Sequence, residues 1–300
     1  MSAPANRPLA GILWMLLTGL NFVAVTAIVK HVGDALPAAQ SAFLRYALGL
    51  VFLLPMIRPI LAAHLSRRQL GVFAARGAAH TAGVVLWFYS MTQITIAEVT
   101  AMNYLNPVYV TLGAALFLGE TLALRRILAV AAALVGALVI LRPGFRELSP
   151  GHVAMIGTAI FFAVSYLMAK RLSGDFSAPV VVGMLSITVT ICLAPFAAAV
   201  WVPPTPEQLG WLFLVACFAT AGHYTMTLAF AAAPVAVTQP VTFLQLVWAT
   251  LLGWLVFGEG VDGWVILGGA VILGAVSFIS WREAVIRRRA VTPLVHETKV

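Results

Sequence analysis

The chain contains the same apolar motif twice, and each copy ends in Gly-Glu. The segment Gly113–Glu120 reads Gly-Ala-Ala-Leu-Phe-Leu-Gly-Glu, and the segment Leu252–Glu259 reads Leu-Gly-Trp-Leu-Val-Phe-Gly-Glu, 139 residues later. At the same offset, Asn106 corresponds to Gln245. A fixed offset over a long stretch of chain indicates an internal duplication. The fold must therefore accommodate two similar units.

The composition is that of a membrane protein. Hydrophobic residues make up 62% of the chain, charged residues make up 9%, and the mean hydropathy is +1.00. Soluble domains carry about 25% charged residues, so this chain has too little polar surface for a particle surrounded by water. The stretch from Gln208 to Gly258 contains no Asp, Glu, Lys or Arg. A spanning helix needs about 20 apolar residues, so this stretch has room for two.

Apolar runs separated by Pro, Gly and Arg predict an all-α integral membrane protein with ten transmembrane helices. We expect two five-helix repeats, at 9–142 and 151–281, and then a basic cytoplasmic tail at 282–300. Because five is odd, the second repeat is expected to lie inverted relative to the first, as in many secondary transporters. The predicted helices cover residues 9–29, 39–58, 70–91, 97–118, 124–141, 151–170, 178–200, 208–230, 236–257 and 263–281.

The distribution of Lys and Arg gives the expected orientation. With both termini in the cytoplasm, the cytoplasmic segments hold 13 of the 18 Lys and Arg residues and the outside loops hold 3, while Arg45 and Arg76 lie within spans. Cytoplasmic loops of membrane proteins carry such an excess of positive charge. We therefore expect a multi-pass protein of the bacterial cytoplasmic (inner) membrane. The net charge of +8 follows from this topology and does not indicate nucleic-acid binding.

The sequence lacks the common signatures of enzymes. It contains no Walker A loop, no Gly-x-Ser-x-Gly motif and no His-Glu-x-x-His pair. Its two cysteines, Cys192 and Cys217, lie in apolar runs, where they suggest packing rather than a disulfide framework or a metal site. We therefore expect no enzymatic activity, no cofactor and no bound metal. The possible functions that remain are binding of a small molecule and its passage through the bilayer.

The fourth and ninth predicted helices carry matching polar and aromatic residues. Asn106 is followed one turn later by Tyr109, and at the offset of 139 Gln245 is followed by Trp248. An unpaired amide in lipid is costly, so both should face the interior. They either bond neighbouring helices or form two symmetric lips of a central site, where amides hydrogen-bond and rings stack on a planar ligand. The candidate residues on these helices are Asn103, Tyr104, Asn106, Tyr109, Gln239, Gln245 and Trp248.

The third and eighth predicted helices supply the other candidates. Trp87 shares a helix face with His80 and Arg76. That face lines a substrate path, or else Arg76 extends to the cytoplasmic surface and Trp87 lies at the membrane interface. On the eighth helix, His223 and Tyr224 lie at midspan. His223 either takes part in proton coupling or is a hydrogen-bonded packing residue.

Acidic residues lie at or beyond the ends of the predicted spans. Glu120 and Glu259 come directly after their helices. At such positions, a role in anchoring the helix end is a simpler interpretation than contact with the substrate. Glu98, near the start of the fourth span, either carries a coupling proton or stabilises the edge of a loop. The scarcity of buried carboxylates argues against a strongly cationic substrate held by charge pairing.

The ordered motifs resemble the EamA-type drug/metabolite transporter superfamily. The similarity rests on Phe43–Tyr46 (Phe-Leu-Arg-Tyr), on Ala97–Val108, and on the two halves that end in Leu-Gly-Glu and Phe-Gly-Glu, and it covers residues 10–281. Leu244–Glu259 is similar to the branch with bacterial riboflavin and S-adenosylmethionine carriers. The chain departs from the usual apolar pattern of helix 4 in having Asn at both 103 and 106.

The resemblance implies a secondary carrier with alternating access and a central cavity lined by helices 1, 3, 4, 6, 8 and 9. The expected partners are a small-molecule substrate, the lipid bilayer and, in one interpretation, a coupling proton. Uptake of a riboflavin-like or S-adenosyl-type metabolite is the leading expectation. Export of an amino-acid-like metabolite or metallophore uses the same scaffold. The alternative from a different functional class is a receptor or assembly subunit, which binds a solute without moving it across the membrane.

Overall fold

Helices make up nearly all of the computed structural model, which describes residues 8–118, 124–145, 147–172, 175–233 and 239–291. These residues contain no β-strand. Short 3-10 segments lie at Gly33–Ala35, Leu50–Met56 and Gln239–Thr242. The α-helices are α1 (Pro8–Val32), α2 (Ala38–Gly49), α3 (Ile57–Ala62), α4 (Arg67–Gln93), α5 (Ile96–Asn103), α6 (Asn106–Leu118), α7 (Leu124–Leu141), α8 (Pro150–Leu172), α9 (Ala178–Ala199), α10 (Pro206–Ala232), α11 (Phe243–Phe257) and α12 (Gly263–Val291).

Five helical stretches are long and apolar enough, by length and composition alone, to cross a membrane. The other predicted spans correspond to helices that are more charged, interrupted or shorter, such as α4 with its three arginines. The protein is thus an all-helical membrane protein, and the count of ten spans stays a prediction. The five stretches are Leu9–Val32, Ala38–Pro55, Pro150–Ala169, Pro179–Ala199 and Pro206–Met226.

The fourth predicted span is broken in its middle. The chain leaves α5 at Asn103 and enters α6 at Asn106, and Tyr104 and Leu105 form a tight turn between them. Pro107 causes the break because it lacks the backbone N–H that would continue the helical hydrogen-bond ladder. The broken helix places two asparagine side chains next to each other at mid-depth, as the next section describes.

Two predicted boundaries were wrong. The second span, expected at 39–58, ends as an α-helix at Gly49 and continues as a 3-10 segment that contains Pro55, which interrupts α-helical bonding. The last helix, expected to end at 281, runs through Val291, so the start of the predicted tail is helical. Polar residues continue a helix as readily as apolar ones once it leaves the bilayer. Residues 292–300 of the tail lie outside the described residues.

The two parts of the chain interlock. We call residues 8–145 the first half and residues 147–291 the second half. Each major helix of the first half packs on a helix of the second, because each needs a partner for its buried face. The main pairs are α1 with α10, α4 with α8, α7 with α12, α2 with α9, and α5 with α11. The largest hydrophobic cluster contains residues from both halves, such as Phe88, Met155 and Leu246.

The pair α7 and α12 depends on two glycines that face each other. A Cβ atom added at Gly268 would lie 2.5 Å from the carbonyl oxygen of Gly136, and one added at Gly136 would lie 2.8 Å from that of Gly268. Small residues allow membrane helices to approach closely, and dispersion contacts then hold them together. Gly274, on the same α12, has no atom within 4 Å of its added Cβ.

We predict that Gly268→Ala lowers the thermal unfolding midpoint in detergent, because the methyl group pushes α12 away from α7. Overpacking of this kind costs roughly 1–3 kcal/mol. Gly274→Ala is the matched control, and it should be neutral or stabilise by about 0.5–1 kcal/mol. Equal midpoints for the two variants would contradict the proposed close contact.

Candidate functional site

A histidine lies at the centre of the helix bundle between two hydroxyl groups. The Nε2 atom of His80 on α4 lies 3.0 Å from the Tyr46 hydroxyl on α2, and its Nδ1 atom lies 3.2 Å from the Ser165 hydroxyl on α8. The imidazole stacks on the Phe162 ring at a centroid distance of 4.7 Å. Hydroxyl groups donate or accept, so they satisfy either tautomer of the ring. We call Tyr46, His80, Phe162 and Ser165 the central cluster.

Two arginines lie around the central cluster. The Arg76 side chain is only 5% exposed, and its Nη1 atom donates to the carbonyl of Val181 at 2.8 Å. Its Nε atom is buried without a hydrogen-bond partner among the described residues. Arg76 therefore packs inside the protein, and the interpretation that it extends to the membrane surface was wrong. The Arg45 guanidinium lies 4.0 Å from the Tyr46 ring centroid and interacts electrostatically with His80 and His223.

The charge around these arginines is not balanced by acidic groups at the same depth. The chain has ten Asp and Glu residues, and all of them lie at or beyond the ends of the predicted spans. A guanidinium within a membrane normally has an anionic or carbonyl partner. The middle of the bundle is therefore electropositive, a property that selects against cationic ligands.

The broken helix presents an asparagine pair to the interior. Asn106 Nδ2 donates to Asn103 Oδ1 at 2.7 Å. The Oδ1 atom of Asn106 is buried and has no hydrogen-bond partner among the described residues. The Tyr104 hydroxyl donates to the carbonyl of Thr242 at 2.7 Å and so joins the break to the segment before α11. Tyr109 is half-buried against the main hydrophobic cluster.

Trp87 extends the central cluster along α4. Its ring meets Phe162 edge to face at a centroid distance of 6.4 Å. The indole Nε1 atom is buried and, like Asn106 Oδ1, lacks a hydrogen-bond partner within the described parts of the chain. Buried polar atoms are nearly always paired, so an unpaired one marks a place where a ligand or water binds. Among the described residues, Trp87 thus offers an unpaired donor and Asn106 an unpaired acceptor.

The remaining candidates are more dispersed. The His223 ring lies edge-on to Phe22 at 5.2 Å. Tyr224, the next residue, is 66% exposed and is not enclosed by the bundle. Gln245 packs over Gly19 on α1, and Trp248 is partly exposed on the same helix as Gln245. The backbone of Gln239 lies in a 3-10 segment, and its side chain is outside the described residues.

Sequence reasoning missed Tyr46, Phe162 and Ser165 as neighbours of His80. The sequence signal for Tyr46 was its place beside Arg45 in the Phe-Leu-Arg-Tyr motif, and Ser165 was visible only as a polar residue in an apolar run. Their partner His80 is 34 and 85 residues away, respectively. No local pattern predicts which of several helix pairs brings such residues together.

A second polar group lies at one end of the bundle. The Lys30 ammonium pairs with Glu259 Oε1 at 2.5 Å and also donates to the carbonyl of Ile94 at 2.8 Å. The other carboxylate oxygen of Glu259 accepts from the Ile96 backbone N–H at 3.0 Å. Glu259 therefore anchors its chain segment to the start of α5, in agreement with the simpler interpretation of this residue. Its counterpart Glu120 lies outside the described residues.

Two further pairs lie at the same end. The His152 Nε2 atom on α8 lies 3.1 Å from Glu98 Oε1 on α5, and Arg142 pairs with Asp262. In all three pairs one residue belongs to the first half and the other to the second half. The cavity beside them has a volume of about 790 Å³. We call these six residues the ionic cluster: Lys30, Glu98, Arg142, His152, Glu259 and Asp262.

No group of three or more metal-binding side chains occurs in the portion of the chain that the structure describes. Arginine, tyrosine, tryptophan and amide groups dominate the middle of the bundle instead. These groups recognise organic molecules through hydrogen bonds and ring contacts.

Comparison with known proteins gives a consistent result. Residues 9–142 and 149–281 both match the EamA-like transporter family. A riboflavin transporter of Vibrio cholerae is 29% identical over 290 residues, which cover 95% of this chain and 97% of that protein. A pseudopaline exporter of Pseudomonas aeruginosa is 27% identical and covers 90% and 96%, and an S-adenosylmethionine uptake transporter of Rickettsia bellii is 24% identical and covers 91% and 94%.

A crystal structure that is 19% identical has a TM-score of 0.56 and covers 95% of this chain and 97% of its own, which supports the same fold. The named relatives are transporters of small metabolites rather than enzymes. The resemblance drawn from the sequence motifs, including the riboflavin and S-adenosylmethionine branch, is therefore confirmed. The chain belongs to the EamA-like transporter family.

Proposed function

We propose that this protein is a secondary transporter that takes up a small planar metabolite of the riboflavin type by alternating access. The observation that carries the proposal is the pair of unpaired buried atoms, the Trp87 indole N–H donor and the Asn106 carbonyl acceptor. A flavin ring has carbonyl acceptors and an N–H donor on a flat aromatic surface. Such a ligand satisfies both atoms and stacks against the aromatic side chains nearby.

We propose further that residues 9–142 and 151–281 form two inverted repeats. The helix packing supports this division. The first span of one half packs on the third span of the other in both directions, as α1 on α10 and α4 on α8. The second, fourth and fifth spans each pack on their own counterparts. A two-fold axis in the membrane plane produces this exchange, and the substrate then binds at the repeat interface.

The ionic cluster forms the contact that opens during transport in this proposal. Its three pairs join the two repeats at one end of the bundle. The excess of Lys and Arg in the opposite loops supports an outside position for this end and a cytoplasmic position for both termini. The two repeats must separate here before a substrate from outside reaches the central cluster.

A carboxylated, amino-acid-like metabolite that is exported is the second candidate substrate. Arg45 and Arg76 favour it, because a carboxylate would be the acidic partner that the middle of the bundle lacks. The same electropositive middle counts against an S-adenosyl-type substrate, because its sulfonium group is cationic. The relative from Pseudomonas aeruginosa is named as an exporter.

The test is substrate counterflow with the purified protein in liposomes. Riboflavin exchange is expected, and it should be competed by other flat heteroaromatic compounds. Exchange of carboxylated amino-acid conjugates without riboflavin exchange would favour the second candidate, and Arg45→Gln should then abolish it. Absence of exchange for every compound, with ligand-induced thermal stabilisation retained, would point to a receptor rather than a transporter.

We predict that Trp87→Phe weakens riboflavin binding up to about tenfold, the worth of one net hydrogen bond. The ring contact with Phe162 remains, and protein stability should not fall because the indole N–H has no partner among the described residues. Binding is measured by the ligand-induced thermal shift. Trp254→Phe, at an exposed position on α11, is the matched control and should bind normally. Equal affinities for the two variants would exclude Trp87 from the site.

We predict that Asn106→Ala and Gln245→Ala each reduce riboflavin counterflow while the protein still inserts and purifies normally. The first variant removes the unpaired acceptor, and the second removes the corresponding amide of the other repeat. Counterflow is compared with Thr250→Ala, whose hydroxyl donates to the carbonyl of Leu246 within its own helix. Normal counterflow in both amide variants would show that the symmetric-lip hypothesis is wrong.

A further inference from the structure

We propose that Glu98 and His152 form the binding site for a coupling proton, which drives the uptake described above. This inference rests on the proposed transport function and adds the driving ion. The pair joins α5 of the first half to α8 of the second half, with 3.1 Å between His152 Nε2 and Glu98 Oε1. Proton binding at this place acts directly on the contact between the two halves.

The chemistry of the ionic cluster singles out this pair. In the other two pairs the cation is a lysine or an arginine, residue types whose ordinary pKa values lie far above neutral pH. Only Glu98 has a histidine as its partner, and histidine gains a proton in the physiological range. The histidines within α4 and α10, His80 and His223, have Arg45 nearby in place of a carboxylate. The pair Glu98–His152 is therefore the place where an added proton meets a compensating negative charge.

The Glu98–His152 pair is buried, but it is accessible from the cavity at one end of the bundle. The His152 and Glu98 side chains are 5% and 7% exposed. Both line the cavity of about 790 Å³ at this end of the bundle. Glu98 is held rigidly, because its second carboxylate oxygen accepts from the Thr95 N–H at 2.9 Å and from the Thr95 hydroxyl at 3.0 Å. A proton enters from the cavity, and the carboxylate that stabilises it is already in position.

The charged groups around Glu98 come from every helix that packs there. Helix α1 contributes Lys30, the residue after α7 is Arg142, and the α11–α12 connection contributes Glu259 and Asp262. Helix α4 ends nearby with the uncharged Thr92 and Gln93. Lys30 is paired with Glu259, and Arg142 with Asp262, so these charges largely cancel. His152 thus decides the charge state of the site.

The direction of coupling follows from the bond that the proton strengthens. Before protonation, a neutral imidazole N–H donates to the Glu98 carboxylate. Afterwards an imidazolium faces the same carboxylate, and the Coulomb attraction between the two opposite charges adds to the hydrogen bond. The proton therefore holds the two halves together at this end and favours closure after a substrate has entered from that side. With the proposed orientation, an acidic outside drives uptake.

Glu98→Gln is the decisive variant because it removes the titratable carboxylate and little else. Glutamine has nearly the same shape, and it keeps the capping box with Thr95 that starts α5. With its amide oxygen facing Thr95, its NH2 group faces His152 Nε2, which accepts when the neutral imidazole carries its proton on Nδ1, so the fold is expected to remain. Glu147→Gln is the matched control, because Glu147 is an exposed acidic residue in the connection between α7 and α8.

The first experiment needs no substrate. Spin labels are placed at Gln93→Cys and Val261→Cys, in a background with Cys192→Ala and Cys217→Ala, and distances are measured in lipid nanodiscs at about pH 6 and about pH 8, on either side of the usual histidine range. We expect the short, closed distance to gain population at the lower pH in the otherwise native chain and in Glu147→Gln, but not in Glu98→Gln. A pH-independent distance in the native chain would overturn the proposal.

The second experiment uses riboflavin as the probe in liposomes with an imposed proton gradient, acidic outside. The measured quantity is riboflavin accumulation divided by the counterflow rate of the same variant. We expect the gradient to raise this ratio in the native chain and in Glu147→Gln. In Glu98→Gln the ratio should be the same with and without the gradient. Undiminished gradient-driven accumulation in Glu98→Gln overturns the proton site. Absence of riboflavin counterflow in the native chain refutes riboflavin as the substrate instead, and the distance measurements then decide the proton site alone.

Discussion

A polar group among lipid tails must find its partner within the protein, and this constraint organises the whole bundle. Hydroxyl side chains inside the helices bond to carbonyls of their own helix or to the opposite half. Thr18 and Thr225 meet at 2.9 Å between α1 and α10, and Ser90 donates to Gly151 at 2.9 Å between α4 and α8. Because water is absent, such bonds have no competing partner, and they specify which helices pack together.

The same constraint makes the buried polar atoms that lack a partner energetically costly. The Trp87 N–H and the Asn106 carbonyl lie at positions where the surrounding helices supply apolar or aromatic surface. Leaving either atom unsatisfied costs about 1–3 kcal/mol. A transporter benefits from this cost, because a substrate that satisfies both atoms recovers it on binding. The ionic cluster, in contrast, pairs its charged groups with one another and thereby joins the two halves.

Much of the fold was predictable from the sequence, because hydropathy and the offset of 139 residues mark the helices and their correspondence. The resemblance between the two copies of Gly-Glu also led to Glu259 as an anchor. The local capping of α5 by Thr95 and Glu98 was readable from the Thr-x-x-Glu spacing. The partner His152 was not readable, because it lies 54 residues further along and meets Glu98 only through helix packing. The contacts of His80 were unpredictable for the same reason.

The separation between the two polar sites limits how they can communicate. His152 lies near the start of α8, and Ser165 of the central cluster lies 13 residues later on the same helix. At 1.5 Å per residue, this spacing corresponds to about 20 Å along α8. Glu98 lies on α5, which leads directly into the asparagine pair of the broken helix.

A proton at the Glu98–His152 pair therefore cannot touch a substrate at the centre. It acts by shifting α8 and α5, and each of these helices carries residues of the proposed substrate site. The break at Tyr104 and Leu105 interrupts the helical hydrogen-bond ladder between α5 and α6, so the two segments do not form one continuous helix.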